Sequence, residues 1–153
     1  MQLWKSDGTA SGTVMVKVFS SIAGVGGRST VTAVGNTLYF QANDGIRGNE
    51  LWKSDGTASG TVMVKDIRAV EGYARCFICS SDPDQLTAVG NTLYFRANDG
   101  FHGIELWKSD GTTSGTVMVK DINSVQRGSY TYDSDPGQLL SLIHISEPTR
   151  PPE

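Results

Sequence analysis

Leu51-Trp52-Lys53-Ser54-Asp55-Gly56-Thr57-Ala58-Ser59-Gly60-Thr61-Val62-Met63-Val64-Lys65 decides the fold, because the chain carries this segment three times, starting at Leu3, Leu51 and Leu106, with Thr113 in place of the alanine in the third copy. Self-similarity at a long period marks a repeat architecture and takes precedence over any local reading. A second block, Thr-Ala-Val-Gly-Asn-Thr-Leu-Tyr-Phe, fills Thr32–Phe40 and Thr87–Phe95. Phe40 to Trp52 and Phe95 to Trp107 are both 12 residues, whereas the Trp-to-Trp period varies from 48 to 55. The variation lies in the segments after Val-Met-Val-Lys, which run about Phe19–Thr30, Arg68–Gln85 and Asn123–Gln138.

Each period reads as four strands. Val31–Val34 or Leu86–Val89 leads through a Gly-Asn turn into Thr37–Ala42 or Thr92–Ala97. Gly and Asn tolerate the positive φ that a two-residue hairpin turn requires. Asn43–Gly45 or Asn98–Gly100 then turns the chain into Glu50–Lys53 or Glu105–Lys108. Ser-Asp-Gly-Thr leads on to Thr61–Ile67 or Thr116–Ile122. No segment has helical periodicity, and the glycine spacing would interrupt a helix.

Leu93-Tyr94-Phe95 and Val117-Met118-Val119 are unbroken apolar runs, so these strands are expected to be buried on both faces. Four-stranded antiparallel meanders stacked face to face have this pattern, as in a propeller. The expected architecture is therefore all-β: a partial β-propeller of about two and a half blades. Residues 1–18 are read as the second half of a truncated blade, 31–67 and 86–122 as blades, and 123–139 as the start of a truncated next repeat. Such a piece is expected to expose sheet edges or apolar faces and to aggregate or partly unfold alone.

Glu105-Leu106-Trp107-Lys108-Ser109-Asp110-Gly111-Thr112, followed by Gly115-Thr116, resembles the signature of the bacterial ELWxxDGT repeat family. Glu50–Thr57 matches as well, and Gln2–Thr9 matches with Gln2 in the Glu position. The resemblance covers residues 2 to about 139. It implies large exported or cell-surface proteins with propeller-like repeats and no assigned chemistry. After Leu139 the pattern fails. Leu140–Glu153 resembles the in-frame translation of a transposon-end sequencing adapter and is expected to be a non-native tail.

A net charge of −3 without a Lys/Arg cluster argues against a nucleic-acid surface. No apolar run approaches the roughly 20 residues of a membrane helix. No Ser/His/Asp arrangement, phosphate-cradling loop or paired acids can be assembled, so no catalytic residues are expected. His102 stands in a turn without a partner motif. Cys76 and Cys79 form a lone Cys-x-x-Cys, read as a loop disulfide ahead of free thiols, with a redox or metal role least expected. Asp82/Asp84, Asp133/Asp135 and the Asp-Gly turns raise calcium, but no segment has the full oxygen set, and no cofactor is expected.

Trp4, Trp52 and Trp107 recur at one strand position, as expected for packing between blades. Glu50 and Glu105 are likewise read as repeated structural contacts. In a meander the connections after strands two and four emerge together. The resulting loop face offers Arg47, Tyr73, Arg75, His102, Tyr130 and Tyr132 as contacts for a protein or glycan. The expected function is a non-enzymatic recognition or structural module of an exported or cell-surface protein, whose remaining blades are partners. The alternative is an accessory propeller of, or a channel-sited active site in, a larger exported enzyme.

Overall fold

The computed structural model describes residues 1–22, 31–69, 79–122, 126–127, 130–131, 134 and 136. Among these residues the chain is all-β, and every strand pairing is antiparallel. β1 (Gln2–Lys5) pairs with β2 (Val14–Val18). β3 (Ser21–Ile22), β4 (Val31–Val34), β5 (Thr37–Asn43), β6 (Asn49–Ser54) and β7 (Val62–Lys65) form the first full sheet. β8 (Asp84–Val89), β9 (Thr92–Asn98), β10 (Ile104–Ser109) and β11 (Val117–Lys120) form the second. The short strands β12 (Gln126–Arg127) and β13 (Tyr130–Thr131) pair with each other.

The four-stranded meander is thus present in both full repeats. Gly35 and Gly90 both sit at φ +57°, where a side chain is disfavoured, and each closes its first hairpin. The same irregularity recurs in the last hairpin of each repeat, between Leu3 and Trp4, Leu51 and Trp52, and Leu106 and Trp107. A bulge at this point adds twist and re-aims the side chains that follow.

Three details depart from the sequence expectation. The fourth strand stops at Lys65 and Lys120, short of Ile67 and Ile122. β8 starts at Asp84 and carries a bulge before Thr87, with Gln85 at φ +51° in the left-handed region. The variable segments also hold strands. β3 occupies the upper part of β5's edge, pairing Ser21 with Asn43 and Ile22 with Ala42, beside the stretch paired with β4.

The sheets stack face to face. Phe40, Ala42 and Trp52 of the first full sheet pack against Phe19 and Leu3, from the β1–β2 unit. Tyr39, Leu51 and Val64 of that sheet's other face, with Ile67, pack against Leu93, Phe95, Ala97 and Trp107 of the second. Phe40 faces Trp52 across the strands, and Phe95 faces Trp107. The first full sheet is therefore covered on both faces, whereas Val117 and Val119, in a run expected to be buried on both faces, are exposed, Val119 because no described sheet covers that side of the second sheet. No helix among the described residues is long and apolar enough to cross a membrane.

Candidate functional site

The two ends of the stack differ in kind. One end carries the Ser-Asp-Gly-Thr turns, which repeat bond for bond. Asp55 Oδ1 accepts from the Thr57 amide at 2.8 Å and its hydroxyl at 2.7 Å, and Asp110 accepts from Thr112 at the same distances. Asp7 does so from Thr9 at 2.9 and 2.8 Å. The amides of Gly12, Gly60 and Gly115 each donate to the threonine hydroxyl at 2.9 Å. A Cβ at Gly60 or Gly115 would lie 2.1 Å from the aspartate oxygen, so only glycine fits beneath that carboxylate. Hydrogen bonds from threonine hold Asp7, Asp55 and Asp110 below the usual carboxylate range. These aspartates serve turn geometry.

The other end collects the turns after strand two and the connections between repeats. Its anchor is Glu50, fully buried on β6. The Ser81 hydroxyl donates to Glu50 Oε2 at 2.6 Å and the Ile67 amide donates to it at 3.0 Å; the Ser81 amide donates to Oε1 at 3.1 Å. One carboxyl thereby ties the end of one repeat to the start of the next. Glu105 repeats the device, accepting from the Ile122 amide at 3.1 Å and the Ser134 hydroxyl at 2.7 Å. Asp82 extends the clamp, accepting from Asn49 Nδ2 at 2.8 Å and Gln41 Nε2 at 3.1 Å. Asp84 meets Arg96 in a two-point pair, with Nε to Oδ1 at 2.7 Å. Both acids of the Asp82/Asp84 pair are therefore engaged with protein donors. No cluster of metal-ligating side chains occurs among the described residues.

Burial raises the Glu50 pKa from 4.5 to about 7, against the opposing pull of the Ser81 and Ile67 hydrogen bonds. A carboxyl whose folded pKa lies above its unfolded value contributes stability that is complete below about pH 4.5 and is lost as pH rises through about 7. The parent protein is expected to lose stability between pH 5 and pH 8, and Glu50→Gln to show a flatter profile. Denaturant midpoints across this range test it; parallel profiles would count against a titrating Glu50.

Arg47 and His102 occupy equivalent turns. Asp44 accepts from the amides of Ile46 and Arg47, and its second oxygen lies 3.1 Å from Arg47 Nη1. Arg47 Nε also lies 3.5 Å from Asp66. Asp99 accepts from the Phe101 and His102 amides and lies 2.7 Å from His102 Nδ1. The hydrogen bond to Asp99 raises the His102 pKa. Each turn thus presents one half-exposed cationic or imidazole group held by an aspartate three residues earlier.

Of the residues expected on the loop face, Arg47 and His102 lie on this end, while Tyr73, Arg75 and Tyr132 fall outside the described residues. Tyr130 lies on β13, with its side chain outside the described set. Cys79 is buried and disulfide-bonded; Cys76 and the Leu140–Glu153 tail lie outside the described residues. Trp52 and Trp107 are buried and Trp4 is exposed. Sequence reasoning missed the Glu50–Ser81 clamp and the Asp82 contacts. Their signal was the recurrence of Ser81-Asp82-Pro83 at Ser134-Asp135-Pro136.

Comparison with known proteins finds no matching family model, no matching curated protein and no matching solved structure.

Proposed function

We propose that the chain is a non-enzymatic recognition module built from propeller-like stacked blades, part of an exported or cell-surface protein, binding a glycan or protein through its loop end. The contrast between the two ends carries this reading. The Ser-Asp-Gly-Thr turn is the same in three copies, with only the next residue changing (Ala10, Ala58, Thr113), while the loop end changes identity at several matching positions: Arg47 against His102, Gln41 against Arg96, Asn49 against Ile104. A rigid scaffold bearing divergent loops is the usual arrangement of a binding surface. The resemblance to the ELWxxDGT repeats supports the exported setting.

Glycan-array binding by the full chain tests the glycan arm. Binding is expected to disappear in Tyr130→Ala/Tyr132→Ala and to fall in Arg47→Ala/His102→Ala. A flat array would overturn glycan recognition.

A further inference from the structure

The end faces of the stack are two halves of an interface that the chain already makes twice. At the two internal contacts the forward-facing tryptophans are 5% (Trp52) and 6% (Trp107) exposed, while Trp4 at the same position is 53% exposed. On the opposite faces Val16 and Val64 are 9% and 3% exposed, against 45% for Val119. Phe19 and Ile67 are 3% and 7% exposed, against 52% for Ile122. Position in the stack separates the buried copies from the open ones.

The polar contacts follow the same rule. Lys17 Nζ donates to the Thr61 carbonyl at 2.8 Å and lies 5.0 Å from the Trp52 ring. Lys65 Nζ donates to the Thr116 carbonyl at 2.8 Å and lies 5.8 Å from the Trp107 ring. Lys120, next in the series, is exposed at one end; Trp4 and Thr13, its counterpart acceptors, are exposed at the other. The Tyr39 hydroxyl would lie 2.3 Å from a Cβ at Gly111, whereas nothing lies within 4 Å of one at Gly8. Tyr94 occupies the Tyr39 position on the open face.

We propose that these two faces bind each other between copies of this chain, head to tail. The open face of β8–β11 seats the β1–β2 hairpin of a second copy. Lys120 lies over the second copy's Trp4, and Val119 and Ile122 pack beside it. The arrangement repeats the lysine-over-tryptophan part of the contact made at Trp52 and Trp107; β1 and β2 match the third and fourth strands of a meander, so they carry no equivalent of Phe95 and Ala97, which β9 adds to the internal contact. A symmetric pairing of like faces would instead oppose Lys120 to Lys120. Because the contact is heterologous it extends into strings of copies unless the rotation closes a ring.

Sedimentation velocity over a concentration series tests the proposal with the full chain. The parent is expected to show a sedimentation coefficient that rises with concentration. Val119→Asp/Ile122→Asp blocks one end and Trp4→Glu/Met15→Glu the other. All four residues are exposed, so the fold keeps its internal contacts. Each variant alone is expected to stay monomeric, and their equimolar mixture to stop at a dimer. Lys120→Glu is expected to weaken association by about tenfold, equivalent to about 1.4 kcal/mol. A parent monomeric at every concentration, a blocked variant that still self-associates, or a mixture that stays monomeric would each overturn the proposal.

Discussion

Glu50→Ala is expected to destabilise the fold by about 3–5 kcal/mol, the scale of removing one partner from a buried charged or strongly polar pair. The truncation leaves the Ile67 amide, the Ser81 amide and the Ser81 hydroxyl without their acceptor. Each orphaned buried donor costs about 1–3 kcal/mol, with relaxation removing part of the sum. The loss also unties Ser81, and with it the Asp82 contacts to Gln41 and Asn49. Glu105→Ala provides an internal comparison. Glu105 accepts from the Ile122 amide and Ser134 hydroxyl, and its Oε1 is buried without a partner among the described residues. Its removal is expected to cost about half as much. Urea denaturation of the two variants measures the difference, and a Glu50→Ala cost within about 1 kcal/mol of zero would rule out the clamp.

Trp107→Ala is the second large effect, at about 3–5 kcal/mol, the range for deleting a large aromatic from a core. Trp107 packs in one cluster with Leu51, Val64 and Phe95, so its loss opens a cavity between two sheets. Its indole nitrogen is buried without a hydrogen-bond partner among the described residues, so the cost is one of apolar packing together with the Lys65 ammonium over the ring. Trp4→Ala, at the same motif position on the open face, is expected to cost less than about 1 kcal/mol. A pair of residues identical in sequence context would then differ severalfold in energetic weight. Equal costs for the two would show that the tryptophan acts within its own sheet, independent of stacking.

The contrast between Trp4 and Trp107 also marks how far the sequence could be read. Strand order and the Gly35 and Gly90 turns were legible, because turn chemistry and apolar periodicity are local properties; two-sided burial was legible for the first full sheet but fails at Val117 and Val119, which are exposed. The uniform bonding of Asp55 and Asp110 to their threonines was legible as turn geometry for the same reason. The Glu50 clamp was not, since its partner Ser81 lies across a connection whose length varies between repeats. Periodicity reports which face a residue points to, and it does not report what crosses to meet it. By sequence Arg47 and His102 are open loop residues, yet Asp44 and Asp99 hold each of them from within the same turn. The Gln85 bulge has no sequence signal, because nothing in a Gln between an Asp and a Leu announces a positive φ. β3 escaped because two residues are too few to show alternation.

A repeated motif residue is buried by the sheet stacked in front of it. Incorporating 5-fluorotryptophan into the full chain and recording fluorine NMR with a soluble paramagnetic agent addresses that claim residue by residue, with single Trp→Phe variants assigning the resonances. At dilute concentration the Trp52 and Trp107 resonances are predicted to be shielded while Trp4 broadens. Equal broadening of all three would contradict the stacked arrangement.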